Sequence, residues 1–247
     1  MSLICNELLG VEKIKIYQDS DLFNFSLDSM LLASFATINL KDKLICDLCS
    51  GNAPIPMYLT LRTKAKIVGV EVLEKSYNLA NMSVKENKME EQIKMHNRNL
   101  IGVSNEIGKE KYDLVTCNPP YFRLNHHQVN PNEEKAIARH EILANLDDIV
   151  KEASLLLKQK GRLAMIHTPS RLLEVIETFK KYHIEPKRLR FVYPKMDGEC
   201  NHILIEGMKE GKEEMRILPP LYVYKEDGKW TEEILKIYNF EEWFLCF

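Results

Sequence analysis

From residue 43 onward, short apolar runs alternate with segments of helical spacing, and no other feature limits the fold of this chain so strongly. The runs are Leu44-Ile45-Cys46-Asp47-Leu48, Ile67-Val68-Gly69-Val70-Glu71, Ile93-Lys94-Met95-His96, Tyr112-Asp113-Leu114-Val115-Thr116-Cys117 and Arg162-Leu163-Ala164-Met165-Ile166-His167. Between them helices are predicted over 54–63, 74–87 and 147–158, the last stopped by Gly161. Strand and helix repeating at this spacing fold as a doubly wound, mostly parallel α/β sheet. Ligands in such sheets bind outside the carboxyl ends of the strands, near the point where the strand order reverses.

The flanks extend this picture. Ile14 to Gln18 and Phe23 to Leu27 alternate like the two arms of a β-hairpin turning at Asp19 to Asp21, and Asp28 reads as the N-cap of a buried helix over 29–36. Residues 1–40 are therefore expected as a hairpin-helix extension packed on one larger unit, 41–247. After a helix over 170–182, Leu189 to Tyr193 and His202 to Glu206 are separated by too few residues for a crossover helix, so they should pair antiparallel at the sheet edge. A strand at 222–224, a turn at Asp227-Gly228 and a helix over 231–238 complete the chain.

Composition narrows the class. Hydrophobic residues make up 45% of the 247, ample for a full core. The net charge of −2 creates no general basic field, so any grip on nucleic acid must come from local patches. Met1 to Lys15 does not read as a signal peptide and no run approaches the ~18 apolar residues of a membrane span. A cytoplasmic protein with no membrane contact is expected. Its six cysteines, Cys5, Cys46, Cys49, Cys117, Cys200 and Cys246, are then expected to be reduced. Cys46 lies within a strand and Cys49 after its end, not at a helix start that would lower a thiol pKa, and the histidines lack the spacing of a closed metal site, so no metal is expected.

Two loops carry the chemistry. Asn118-Pro119-Pro120-Tyr121 follows an apolar strand directly. Proline lacks an N–H and has φ fixed near −65°, so this loop is stiff and its carbonyls are unpaired acceptors. An exocyclic amine on a base is a poor nucleophile because its lone pair is delocalised into the ring. If the Asn118 side-chain oxygen and the Pro119 carbonyl accept its hydrogens while Tyr121 or Phe122 stacks on the ring, the lone pair can be aimed at an electrophilic methyl. Pro219-Pro220, with no preceding asparagine, is the internal contrast and reads as a strand bend.

Asp47-Leu48-Cys49-Ser50-Gly51-Asn52-Ala53 is the second loop, a turn from strand to helix whose free N–H groups suit a polar or anionic ligand. Gly51 is its one glycine, with Asn52 expected to tolerate positive φ. Glu71 ends the next strand, 24 residues beyond Asp47, placed to bond both hydroxyls of a ribose.

With these loops in order, the chain resembles the class I S-adenosylmethionine-dependent methyltransferases, whose Rossmann-like fold has a seven-stranded sheet with an antiparallel edge hairpin. The resemblance makes 41–247 the methyltransferase domain. More narrowly, residues 23–33, Asn118 to Phe122, Ala138-Arg139-His140-Glu141 and Arg188 to Pro194 resemble the family that N6-methylates the adenosine 3′ of the anticodon in a valine tRNA. The resemblance implies S-adenosyl-L-methionine as cofactor and tRNA as partner. It places the methionine part of the cofactor near Asp47, Ser50, Gly51 and Asn52, the ribose on Glu71, and the target base on Asn118, Pro119, Pro120 and Tyr121. Ala53 stands where the family has a second glycine, and Asn99 where it has an aspartate facing the cofactor adenine. Asn99 would bond that adenine through its carbonyl, more weakly than a carboxylate. RNA contacts are expected from Phe122, Arg139, Lys187, Arg188, Arg190 and Lys195. Guanine N2-methylating and protein glutamine-methylating enzymes carry similar loops, and a fold retained for RNA binding without catalysis is the alternative of another class.

Overall fold

The computed structural model describes residues 3–19, 27–119 and 145–240. At its start β1 (Leu3–Leu8) and β2 (Val11–Asp19) form an antiparallel ribbon. Gly10 turns the ribbon at φ +81, where a Cβ would collide with the Tyr238 carbonyl oxygen. The 11–19 strand thus pairs with residues 3–8; of the expected second arm, 23–26 lie outside the described residues and Leu27 opens a helix. Leu8 of β1 joins Ile14 and Ile16 of β2 in one apolar cluster, while residues 3–7 stay exposed. Helix α1 (Leu27–Phe35) follows, buried on most of its surface as its composition predicts, with Asp28 inside the first turn instead of capping it.

The main sheet holds β3 (Leu44–Leu48), β4 (Lys66–Glu71), β5 (Ile93–Asn97), β6 (Tyr112–Cys117), β7 (Leu157–His167), β8 (Ile184–Tyr193) and β9 (His202–Lys209). Two-residue strands β10 (Arg216–Ile217) and β11 (Leu221–Tyr222) add to β8, on either side of the Pro219-Pro220 bend. The order is β10-β8-β9-β7-β6-β3-β4-β5. Pairing is parallel from β7 to β5, while β9 runs antiparallel between β7 and β8. The expected class I methyltransferase architecture with an antiparallel edge hairpin is therefore the observed one. The chain leaves β3 toward β4 and β5, then returns to β6 on the other side, so the switch point lies between β3 and β6.

Helices α2 (Pro54–Thr60), α3 (Glu74–Glu86) and α7 (Glu232–Tyr238), with α1 and the ribbon, lie on one face of this sheet. The other face is covered by α4 (Val103–Ile107), α5 (Leu146–Leu156) and α6 (Leu172–Lys181). Alternate strand residues feed the two cores: Ile45 and Leu114 on the first face, Cys46, Leu48 and Val115 on the second. Both faces are covered, which is why the parallel strands read as continuous apolar runs. Helix α5 starts at a capping box between Asn145 and Asp148 and ends at Leu156, earlier than predicted. Gly161 does not stop it. It lies inside β7, after Lys160 at φ 61 and beside a register shift against β6, where a Cβ would press on the Lys158 carbonyl oxygen at 2.8 Å.

A buried ionic network fastens the segment after α1 to the sheet. Glu206 accepts hydrogen bonds from Thr37 N and Oγ1, both at 2.7 Å, and Arg162 reaches Asp42 at 2.5 Å. Each charge has a hydrogen-bonding partner, as burial demands.

Candidate active site

The switch point places two loops against each other. Leu48 and Cys117 are register partners at the ends of β3 and β6, so the turn 49–53 and the Asn118-Pro119 pair leave the sheet side by side. Asn118 is half-buried and Pro119 buried. Pro120, Tyr121, Phe122 and Arg139 lie outside the described residues.

Asp47, Thr116, Gly69 and Glu71 share the sheet face that carries Ile45 and Leu114, since each is an even number of residues from one of that row or its register partner. Thr116 Oγ1 donates to Asp47 Oδ1 at 2.6 Å. Asp47 Oδ2 and the Ser50 hydroxyl are both buried and lack partners of hydrogen-bond geometry among the described residues. Gly69 makes room for Ser50, because a Cβ there would come within 2.8 Å of Ser50 Oγ. Burial drives the Asp47 carboxyl up to about 7, the Thr116 hydrogen bond and the dipole of the nearby Ser50 hydroxyl pull it back, and the charge of Glu71 adds to the rise.

Glu71 is itself buried and its carboxyl is raised by burial, opposed by backbone N–H groups. Its Oε2 accepts from Gly51 N and its Oε1 from Leu73 N, both at 2.8 Å. One lone pair on each oxygen is left for ligand hydroxyls. Asn97 supports it from β5, donating to the carbonyls of Glu71 and Val72 at 2.9 and 3.0 Å.

The turn itself is more contorted than its single glycine implies. Cys49, Gly51 and Ala53 take positive φ of 56, 55 and 69, and Asn52 does not, contrary to expectation. Asn52 instead donates from Nδ2 to the Tyr17 carbonyl at 2.8 Å, tying the turn to the N-terminal ribbon. Ala53 occupies the expected glycine position in a left-handed conformation, with its methyl in the apolar core.

Asn99 is exposed, and its Oδ1 accepts the Ile101 N–H at 2.9 Å, closing a local turn. Of the basic group expected on RNA, Arg188 points inward: it donates to Phe35 O at 3.1 Å and Thr37 Oγ1 at 2.5 Å and stacks over the Phe35 ring. Its guanidinium joins the buried network around Glu206 and Thr37. Arg190 donates to Pro219 O at 2.9 Å and pairs with Glu233, and Lys187 donates to Lys212 O at 2.7 Å. Lys195 is exposed just past the carboxyl end of β8, which points the same way as β6 but lies three positions from it in the strand order. Among the described residues no group of three or more metal-ligating side chains occurs, and no helix is long and apolar enough to cross a membrane.

Thr116, Gly69 and Asn97 escaped the sequence reading. For Thr116 a signal existed: Asp47 and Thr116 are polar interruptions in two apolar strands destined to be neighbours, and buried polar groups need partners.

The residues present fit a methyl donor with a cationic amino-acid end and a ribose. The buried, unpaired Asp47 Oδ2 and Ser50 Oγ suit the first, and the Glu71 carboxylate the second. Comparisons with known proteins bear on the family and the fold. The family described as methyltransferase small domain matches residues 26–192. The tRNA1(Val) (adenine(37)-N6)-methyltransferase of Flavobacterium psychrophilum is 24% identical over 187 residues, 74% of this chain and 79% of that protein. The protein of the same description from Porphyromonas gingivalis is 25% identical over 206 residues, 81% of this chain and 80% of that one. A solved structure described as a predicted O-methyltransferase from Agrobacterium tumefaciens superimposes with a TM-score of 0.70 at 19% identity, covering 86% of this chain and 95% of that one.

Proposed function

Because this chain belongs to the methyltransferase small domain family and is an S-adenosylmethionine-dependent methyltransferase, we propose that it methylates N6 of an adenine in structured RNA, the adenosine 3′ of the anticodon in a valine tRNA. The observation that carries this reading is the placement of Asn118 at the end of β6, beside the turn 49–53 and across the switch point from Asp47 and Glu71. Relatives described as valine-tRNA adenine-N6 enzymes support the choice of acceptor.

S-adenosylmethionine supplies an electrophilic methyl on a sulfonium sulfur. Asp47 and Ser50 would hold its amino-acid end and Glu71 its ribose. Asn118 Oδ1 and the Pro119 carbonyl accept the two N6 hydrogens, which localises the nitrogen lone pair and aims it out of the ring plane. No strong base is required of the protein, since the nitrogen becomes acidic only once it has attacked, and its proton then passes to water. Base delivery requires the adenosine to leave its stack. Lys195 and the basic residues of the 123–141 segment would hold the surrounding backbone.

Nucleoside mass spectrometry of total tRNA from a strain lacking the protein tests the acceptor. Loss of N6-methyladenosine, restored by the wild-type gene and not by Asn118→Ala, is expected. An unchanged level would sink the reading, with loss of N2-methylguanosine or of methylglutamine in a protein pointing to the other acceptors.

A further inference from the structure

Asp47 and Thr116 lie on different strands, 69 residues apart in sequence, and meet in a 2.6 Å hydrogen bond that is fully buried. They are register partners across the β3–β6 pair, so their side chains leave the same face at the same level. Only one carboxylate oxygen is taken. The other, Oδ2, has no partner among the described residues, and the neighbouring Ser50 hydroxyl has none either. Leaving a buried carboxylate half-satisfied is costly, and a ligand that supplies the missing donor recovers that cost.

We infer that Thr116 is a positioning residue for donor binding: by holding Oδ1 it fixes the carboxylate so that Oδ2 is presented, unpaired, to the cationic amino-acid end of the methyl donor. This rests on the reading that the donor's amino-acid end lies at Asp47. Three observations carry it. Thr116 is a β-branched residue in a strand, with few rotamers open to it, so its hydroxyl is a rigid anchor. Its donated hydrogen bond favours the ionised form of Asp47, which the cation requires. Thr116 also stands two residues before Asn118 on the same stretch of chain, so the donor's anchor and the acceptor's cradle are set by one rigid element. Among the described residues the other ionisable group on the Asp47 face is Glu71 from β4; Cys46 and Cys117 leave the opposite face of the sheet, and burial holds both thiols protonated well above neutrality.

Thr116→Val keeps the shape and the branched Cβ and removes the donor. Thr116→Ser keeps the donor. Binding of S-adenosylmethionine, followed by calorimetry from pH 6 to 9 on the full chain without RNA, reads the effect. With Thr116→Val we expect affinity at pH 7 to fall about tenfold, and the midpoint of the rise with pH to move up by about one pH unit, as loss of a bond to the carboxylate requires. With Thr116→Ser both should return to wild type. Urea unfolding of the donor-free variants provides a second readout, in which the loss of stability with rising pH extends to higher pH in Thr116→Val. Wild-type affinity and pH dependence in Thr116→Val, with binding abolished in Asp47→Asn, would overturn the role of Thr116 alone. Normal binding in Asp47→Asn would overturn the placement of the donor on Asp47, and this inference with it.

Discussion

Glu71 Oε2 accepts the backbone N–H of Gly51 at 2.8 Å, so the carboxyl end of β4 holds the turn that follows β3. The same carboxylate takes the Leu73 N–H with its other oxygen. A residue expected on a ribose from its position alone thus also shapes the turn that follows β3. Glu71→Gln replaces one acceptor by an N–H₂ that faces a backbone N–H. An unpaired buried donor costs about 1–3 kcal/mol. Urea unfolding should show that loss, and calorimetry a weakening of S-adenosylmethionine binding by about tenfold or more; a variant of wild-type stability would detach the carboxylate from the turn.

Asp47 makes stability depend on pH. Its folded-state pKa, about 7, lies above the ordinary carboxylate value. The folded chain therefore binds more protons than the unfolded one between about pH 4 and 7, and stability falls as pH rises through that window. Asp47→Asn cannot titrate. Its stability relative to wild type should climb by roughly 3–4 kcal/mol between pH 4 and pH 8, since each tenfold change in proton affinity is worth about 1.4 kcal/mol. Denaturant titrations at the two pH values check this, and a difference that stays flat would show that Asp47 does not titrate near neutrality.

Ala53 takes φ 69 where the tRNA-methylating family it resembles has glycine. The left-handed conformation costs a non-glycine residue about 1–2 kcal/mol. Against that, its methyl is fully buried, worth about 0.8 kcal/mol, and glycine would lose about 0.5–1 kcal/mol of backbone entropy. The opposing contributions nearly cancel, so Ala53→Gly should change stability by less than about 0.5 kcal/mol. Ala53→Val, branched and fully enclosed, should lose more than about 2 kcal/mol through strain and overpacking. Thermal unfolding of both variants decides the balance.

Arg188 and Lys195 should separate stability from RNA binding. Arg188→Ala withdraws a cation from Glu206, a buried carboxylate, and such losses cost about 3–5 kcal/mol when the charge has no other partner. Thr37 keeps two hydrogen bonds on Glu206, so a smaller loss of about 2 kcal/mol is expected in urea, with tRNA affinity unchanged. Lys195→Ala should leave stability unaltered and lower the salt slope of tRNA binding by about 1. Filter binding at two salt concentrations distinguishes the pair.

The strands from Leu44 to His167 were legible because burial on both faces writes itself as an uninterrupted apolar run. The switch point followed from their order, and with it the two loops. The pairing of 3–8 with 11–19 was not legible because residues 3–7 are exposed and carry no buried alternation; it shows only in the tertiary structure. Gly161 read as a helix stop because a glycine after a helix usually is one; pairing with β6 made it a bulge.

What the sequence alone determined is what neighbours along the chain can dictate: the period of each element, the stiffness of Asn118-Pro119, the acid at the end of a strand. Tertiary structure decided which polar group faces which. The Thr116–Asp47 bond, the turn held by Glu71 and the inward course of Arg188 all join residues far apart in sequence. Their partners depend on strand register and on which face a side chain leaves, and a shift of one residue would reverse every one of them.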